Sequence, residues 1–277
     1  MQNYLKLVIS FVLCAGCSHF FYYPSKKTYF PPEKIGLVYE DIEFNSLDGT
    51  KLTGWFFPSS SKKVKGTVLQ FHGNAQNIST HYLSQIWLIQ KGYNLMTFDY
   101  RGFRNSEGSP SHKGIYNDAR AAIKYCKEHY IKDKKHKFVV WGQSIGGTIA
   151  LKALLDKDTG RLVDFLIIES SFPSYKKIAK EKMASHWFTW IFQPIAHIFI
   201  SDFYSPGGKL KDLPAIPVLI IHGKADNIVS FYNGELIYNE ISSSKEFLKI
   251  DEGSHIDSMY IENGKYRTQV LDFLESE

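Results

Sequence analysis

The sequence predicts an α/β protein with a mostly parallel, eight-stranded sheet covered by helices on both faces. From residue 36 onward, short apolar segments alternate with segments of helical periodicity, a pattern typical of parallel strands joined by helices. Several of the apolar segments are nearly continuous, as expected of strands that are covered on both faces. A hairpin at the start adds an antiparallel edge to this sheet.

The eight predicted strands begin with that hairpin. Segments 38–46 ("VYEDIEFNS") and 51–58 ("KLTGWFFP") alternate in polarity on either side of "LDG", which predicts two antiparallel strands. The other six strands are predicted at 66–72, 93–100, 137–142, 163–170, 217–223 and 246–251. Apolar residues at helical spacing predict helices over 78–91, 114–130, 144–156, 231–241 and 265–275.

Composition limits the class of protein. The 277 residues are 44% hydrophobic, enough for one large core, and the formal net charge is a mild +5. Two basic runs, 62–65 and 132–137, lie between apolar segments and are interpreted as solvated loops. Because no basic stripe is interleaved with aromatic residues, we expect no nucleic-acid partner. No cluster of His and Cys has the spacing of metal ligands, and we expect no metal or organic cofactor.

Residues 1–17 are predicted to be a signal peptide. The apolar stretch "LVISFVLCAG" has the length of a secretory signal's apolar region, whereas a membrane-spanning helix needs about twenty residues. The ending "CAGC" resembles a bacterial lipoprotein signal, which implies cleavage before Cys17 and acylation of that cysteine. Cys14 departs from the pattern, which usually has Leu there. An ordinary signal peptide and an uncleaved helix on a membrane surface are the alternatives.

This resemblance implies a chain anchored by lipid in the cell envelope, on the outer membrane facing the periplasm in a Gram-negative organism. Without Cys14 and with Cys17 acylated, Cys126 would have no cysteine partner within the chain. Cys126 has apolar neighbours at helical spacing and is predicted to be a small core residue. We predict a linker over 18–35 and one domain over 36–277.

Residues 173–205 interrupt the alternation of strands and helices. The segment is rich in aromatic residues, and Pro194 excludes a single regular helix. We interpret it either as a short helical cap inserted after the strand at 163–170 or as a helical excursion packed on the core. An exposed aromatic segment and a buried one look alike in sequence.

The chemistry is expected to centre on Ser144. The string "GQSIG" (142–146) fits G-x-S-x-G, follows a predicted strand and opens a predicted helix, the context that a nucleophilic serine turn requires. The glycines let neighbouring elements approach, while the turn lifts the serine Oγ above the sheet at the positive end of a helix. A serine hydroxyl is a weak nucleophile near neutral pH and needs a base within hydrogen-bond reach.

Two later strand ends supply the expected acid and base. Asp226 follows the seventh predicted strand and His255 follows the eighth, so both lie where ligands bind in open α/β sheets. We expect His255 to take the Ser144 proton and Asp226 to orient the imidazole and stabilise its charged form. Glu169, which also ends a strand, is the competing acid.

Other polar residues near strand ends are given structural roles. His72 and His222 precede glycines and are expected to bond to nearby backbone. Asp257 is interpreted as a loop residue, and Asp99 is expected to organise its loop together with Arg101. Six further histidines on predicted helices or loops are expected to do no chemistry: His81, His112, His129, His136, His186 and His197.

Acyl chemistry also needs donors aimed at the developing oxyanion. One predicted donor is the backbone N–H of Ile145, which follows the nucleophile. The other is expected from the loop after the strand at 66–72, and we predict the backbone N–H of Asn74. The side chains of Asn74 and Gln76 are either helpers of this site or ordinary polar loop residues.

Five stretches together resemble the alpha/beta-hydrolase superfamily: "FHGNAQNIS", "FDYRGFRNSEGSPSHKGIYNDARAAIKY", "WGQSIGG", "IPVLIIHGKADNIV" and "EGSHIDSM". The similarity is greatest to its Bem-like branch, near the serine aminopeptidase and lipase-like members, and it implies Ser144, Asp226 and His255 as a catalytic triad. Arg104 departs from the family loop, which usually has glycine at that position. Members of this branch cleave esters, thioesters or amides.

These features predict a serine hydrolase that cleaves carboxylic esters through an acyl-enzyme. A thioesterase or a lipase-like hydrolase of long acyl chains is an alternative, suggested by the aromatic segment 187–203 and the predicted anchor. The expected substrate is a small-molecule or lipid ester, with the membrane contacted through the lipid. The alternative outside enzymes is a lipid-anchored binding protein, because a fold does not by itself establish a function.

Overall fold

The computed structural model describes residues 21–184 and 200–276. Its strands are β1 (Tyr23–Pro24), β2 (Glu40–Asn45), β3 (Lys51–Phe57), β4 (Gly66–Phe71), β5 (Ala75–Gln76), β6 (Tyr93–Phe98), β7 (Lys137–Gln143), β8 (Phe165–Glu169), β9 (Val218–Gly223) and β10 (Lys245–Ile250). Eight of these strands form one sheet in the order β10-β9-β8-β7-β4-β6-β3-β2. All neighbours pair in parallel except β2 with β3 and β3 with β6, which confirms the predicted sheet and its antiparallel edge.

The helices lie between the strands and cover both faces of the sheet, as predicted. They are α1 (Ile78–His81), α2 (His112–Tyr130), α3 (Ile145–Leu154), α4 (Lys157–Gly160), α5 (Tyr175–Ala184), α6 (Phe231–Glu240) and α7 (Arg267–Glu275). Short 3₁₀ turns lie at Pro32–Ile35, Tyr82–Ser84, Ile86–Lys91, Leu210–Asp212 and Ile261–Gly264.

The predicted regular helix over 78–91 is wrong. Helix α1 stops at His81, and two 3₁₀ turns continue the segment to Lys91. The His81 carbonyl accepts a hydrogen bond of 2.8 Å from the Gln70 side chain on β4. A donor from the sheet therefore takes a carbonyl that a regular helix would use, and sequence periodicity does not reveal such a tertiary bond.

Neighbouring residues of the central strands face two separate cores. On β4, Val68 packs in one core and Leu69 in the other, because successive side chains of a strand point to opposite faces. On β7, Val139 joins the core of Val68, and Val140 joins the core of Leu69. The carboxyl ends of the parallel strands meet at one edge of this doubly covered sheet, and the candidate site lies there.

Residues 21–29, called the N-terminal strap below, differ from the linker expected over 18–35. Phe21 and Tyr22 are 9% and 2% exposed and belong to a hydrophobic core. The Tyr22 hydroxyl lies 2.9 Å from His112 Nδ1, and β1 pairs in parallel with β5. The linker prediction is therefore wrong for this segment, because burial of its aromatic rings is more favourable in free energy than their exposure to solvent.

Two further predictions concern Cys126 and the two basic runs. Cys126 is fully buried in α2 as predicted, and burial raises the pKa of its thiol. Residues 62–65 of the first basic run and 132–135 of the second are exposed, as predicted for solvated loops. The prediction is wrong for the end of the second run, because His136 is buried with its Nε2 2.8 Å from Thr67 Oγ1 and Lys137 begins β7.

The predicted signal peptide and part of the proposed cap belong to residues that the structure does not describe. Residues 1–17, including Cys17, and residues 185–199 of the segment 173–205 lie outside the described residues. On either side of the second gap, Ile178 and Ile200 are buried in a hydrophobic core. Over residues 21–184 and 200–276, no helix is long and apolar enough to cross a membrane.

Candidate active site

Ser144 occupies a sharp turn between β7 and α3. Its backbone has φ 54° and ψ −124°, a conformation that non-glycine residues rarely adopt and that is retained where the surroundings impose it. The Ser144 N–H donates to the Glu169 carbonyl at 2.9 Å, and the Ser144 carbonyl accepts the Gly147 N–H at 3.0 Å. A side chain on Gly146 would collide with the Phe71 carbonyl on β4. The turn therefore needs glycine where the motif has it.

The structure brings Ser144, His255 and Asp226 into one line of hydrogen bonds. His255 Nε2 lies 3.0 Å from Ser144 Oγ, and His255 Nδ1 lies 2.8 Å from Asp226 Oδ2. Ser144 and Asp226 are 8% and 6% exposed, and the His255 side chain is 15% exposed. A buried carboxylate, an imidazole and a hydroxyl in this order can move a proton from the hydroxyl to the ring.

The loop after β9 holds Asp226 in its ionised form. The backbone N–H groups of Ile228 and Val229 donate to Asp226 Oδ1 at 2.8 and 2.9 Å. His222 Nε2 lies 3.4 Å from Asp226 Oδ2. Burial acts to raise the pKa of Asp226, but the His222 and His255 rings outweigh it and hold that pKa well below its ordinary value. Asp226 is therefore a charged acceptor at neutral pH.

Glu169, the competing acid, does not bond to His255. Its carboxylate accepts hydrogen bonds from Trp141 Nε1 at 3.2 Å and Gln143 Nε2 at 2.8 Å. A third bond comes from the Ser258 hydroxyl. Glu169 thus lies beside the line from Ser144 to Asp226 and contacts its supports. The string "IIESS" gives it a strand-end position like that of a catalytic acid, but only the folded contacts reveal its partners.

One predicted oxyanion donor belongs to the residue after Ser144, and the other belongs to a loop that passes beside it. Ile145 is the first residue of α3, where helix N–H groups have no partner within the helix. The loop that carries Asn74 passes next to the nucleophile, because a Cβ on Gly73 would lie 3.7 Å from the Ser144 Cβ. Asn74 Oδ1 accepts the Tyr23 N–H at 2.9 Å, so this side chain contacts the N-terminal strap. The use of the Ile145 and Asn74 N–H groups as oxyanion donors stays a prediction.

Three other histidines lie close to this edge of the sheet. His72 Nδ1 bonds to the Gly73 carbonyl at 2.7 Å, and His222 Nε2 bonds to the Val229 carbonyl at 2.9 Å, which confirms their expected backbone roles. His81 was expected on a helix without chemistry, but its ring packs against Gly73. Burial lowers the pKa of His81, so it is a neutral neighbour of the site. Helical periodicity gave no signal of this placement.

The predicted partnership of Asp99 with Arg101 is wrong. Arg101 pairs with Asp118 at 2.7 Å, whereas Asp99 pairs with Arg104 at 2.8 Å. Arg104 has φ 37°, in the region that favours glycine, and its guanidinium packs 4.7 Å from the centre of the Trp55 ring. The side chain thus points inward to a buried carboxylate.

Two remaining observations concern Asp257 and clusters of metal-ligating side chains. Asp257 accepts the Ser254 N–H at 3.0 Å, as expected of a loop residue. Within residues 21–184 and 200–276, no three His, Cys, Asp or Glu side chains come together as a metal ion would require.

Known proteins resemble this chain over most of its length. The sequence profile of the serine aminopeptidase S33 family matches residues 62–201. YfhR of Escherichia coli K12 is 34% identical over 262 residues, which cover 93% of this chain and 87% of YfhR. Protein bem46 of Schizosaccharomyces pombe is 30% identical over 246 residues, which cover 88% of this chain and 79% of bem46.

A solved structure agrees with the fold. An esterase of Pyrococcus furiosus superposes with a TM-score of 0.69, covering 91% of this chain and 96% of the esterase. The two sequences are 21% identical, so this likeness concerns the arrangement of strands and helices alone.

Proposed function

The chain belongs to the alpha/beta-hydrolase superfamily, and from this premise we propose that it is a serine hydrolase that cleaves carboxylic esters through an acyl-enzyme. The line of hydrogen bonds from Ser144 through His255 to Asp226 is the observation that carries the proposal. It joins side chains from three strand ends that are far apart in sequence, in the order that acyl transfer requires.

In the proposed reaction, Ser144 Oγ attacks the ester carbonyl while its proton passes to His255 Nε2. The charge that develops on the carbonyl oxygen is met by the backbone N–H groups of Ile145 and Asn74. His255 then gives the proton to the leaving alkoxide, and the carbon–oxygen bond to the alcohol breaks. Water attacks the acyl-enzyme by the same route and releases the carboxylic acid and free Ser144.

Asp226 has an electrostatic role in this scheme. Its carboxylate accepts a hydrogen bond from the His255 Nδ1–H throughout and stabilises the imidazolium that forms during attack. Because the pKa of Asp226 is held low, the carboxylate stays ionised as the ring becomes charged. Asp226→Asn is expected to lower kcat by about 10⁴-fold, the effect of the wrong imidazole tautomer in a comparable triad.

A series of p-nitrophenyl esters with acyl chains of increasing length tests the proposal. The wild type should hydrolyse members of this series, and Ser144→Ala should lose that hydrolysis. A preference for long chains would favour the lipase-like or thioesterase alternative, and a sharp preference for acetyl or butyryl would count against it. A folded wild type without activity on any ester would favour the binding-protein alternative.

We also propose that acylation of Cys17 anchors the chain to a membrane of the cell envelope. The "CAGC" ending and the short apolar stretch before it support this proposal. Metabolic labelling with a fatty-acid probe tests it. Wild type should carry the label and Cys17→Ser should not, whereas label retained on Cys17→Ser would contradict the assignment.

A further inference from the structure

Glu169 is a second buried carboxylate beside the proposed triad, and the mechanism above does not use it. The residue is 1% exposed at the end of β8. One carboxylate oxygen accepts bonds from Trp141 and Gln143 on β7. The other accepts the Ser258 hydroxyl, three residues beyond His255. The side chain therefore links the strand that leads to Ser144 with the loop that carries His255.

The backbone at Glu169 makes a second link between the same two elements. The Glu169 carbonyl accepts the Ser144 N–H at 2.9 Å. The next residue, Ser170, has φ 50°, and its hydroxyl accepts the Ile256 N–H at 3.3 Å. Ile256 itself has φ 51°. Such backbone conformations persist where the surroundings over-determine them, so both sides of this contact are fixed by the fold.

The three donors also act on the charge of Glu169. Burial raises the pKa of Glu169, while its three donors and a positive His255 favour the ionised form.

We propose that Glu169 is a positioning residue that holds the His255 loop against the Ser144 turn. The inference rests on the proposed function, because it assigns Glu169 to the same reaction. Its role differs from that of Asp226, since Glu169 acts through Ser258 and makes no hydrogen bond to the His255 ring.

Two substitutions separate the charge from the tether. In Glu169→Gln the amide has the same size, its oxygen can accept from Trp141 and Gln143, and its nitrogen can donate to Ser258. This variant removes the charge and keeps the bonds. Ser258→Ala removes the tether and keeps the charge. Asp164→Asn is the matched control, because Asp164 lies before the other end of β8 and accepts the Phe138 N–H at 2.7 Å.

The measurement is kcat and KM for the p-nitrophenyl ester that the wild type hydrolyses best. Ser258→Ala should lower kcat by about tenfold or more at unchanged KM, since small misplacements of a reacting group can cost up to about 100-fold. Glu169→Gln should lower kcat less than Ser258→Ala does, because its amide keeps the hydrogen bonds of the carboxylate. Asp164→Asn should change neither.

The outcomes distinguish the inference from the proposed function. If wild type hydrolyses no ester and takes no serine-directed probe, the proposed function fails and this inference fails with it. If wild type is active but Ser258→Ala keeps wild-type kcat at unchanged KM, or Glu169→Gln loses more kcat than Ser258→Ala, the inference alone is overturned. Should Glu169→Gln not fold by thermal melting, the kcat of Ser258→Ala decides.

Discussion

At the scale of single residues, the sequence predicts which side chains gather at the site better than it predicts their supports. Ser144, His255 and Asp226 are predicted from a local motif and from strand ends, because parallel strands bring their carboxyl ends to one edge. The partner of Asp99 was predicted wrongly, since Arg104 reaches it through a left-handed backbone conformation. Which of the two nearby buried arginines reaches Asp99 depends on loop geometry that no periodicity encodes.

Arg104→Ala tests the buried ion pair with Asp99. Burial raises the pKa of Asp99 to about 6, against the opposing charge of Arg104. Because the folded-state pKa lies above the unfolded value, the folded form binds a proton more readily, and stability falls as pH rises from about 4 to 6. Removing Arg104 leaves the buried Asp99 carboxylate without its positive partner. The free energy of unfolding should therefore fall by about 3 kcal/mol at pH 8 and by less at pH 5.

Urea unfolding at the two pH values provides this measurement. Lys51→Ala is the control, because the Lys51–Glu43 pair is exposed and should contribute little to the free energy of unfolding at either pH. An equal loss for Arg104→Ala at both pH values would contradict the account.

At the scale of elements, the eight strands and most helices follow from periodicity, and the errors lie where tertiary bonds intervene. The predicted helix over 78–91 breaks into α1 and 3₁₀ turns because the Gln70 side chain takes the His81 carbonyl. The N-terminal strap looks like a linker in sequence because it lacks a regular period. Its order comes from the burial of Phe21 and Tyr22 and from single hydrogen bonds, among them those to the loop around Asn74 and Asn77.

Asn77→Ala tests how the strap is held. The fully buried Asn77 side chain donates to the carbonyls of Ser25 and Lys27 at 2.9 and 2.7 Å. It also caps α1 by accepting the Ser79 N–H. Losing these bonds should lower unfolding free energy by about 1–3 kcal/mol and make the strap sensitive to limited proteolysis.

Asn77→Ser separates the two contributions. Serine keeps a capping oxygen but is too short to reach both strap carbonyls. It should therefore expose the strap to protease as Asn77→Ala does, while retaining about 1 kcal/mol of the stability that the cap contributes. A strap that resists protease in both variants would show that other contacts hold it.

At the scale of the whole molecule, the position of the strap links the proposed anchor to the proposed site. Phe21 is four residues after Cys17, a span of about 14 Å at most. The strap then runs along the loop beside Ser144 through the pairing of β1 with β5. An acyl chain on Cys17 would therefore hold the predicted oxyanion loop near a lipid surface.

Lengthening the chain between Cys17 and Phe21 tests this arrangement. An insert of about twenty Gly and Ser residues would add a root-mean-square length of about 25 Å between Cys17 and Phe21. In acylated protein on vesicles, hydrolysis of a vesicle-resident lipid ester should fall, while hydrolysis of a soluble ester should stay unchanged. An insert of two residues serves as the control. Equal activity of both inserts on the lipid ester would contradict the arrangement.

The central claim is that Ser144 is a nucleophile activated by His255. Labelling with a fluorophosphonate probe, followed by mass spectrometry of the modified peptide, tests it most directly because the reaction needs the serine oxygen itself. The account predicts that folded wild type is labelled on Ser144 and that Ser144→Ala takes no label. Labelling that survives Ser144→Ala, or a folded wild type that takes none, would contradict it.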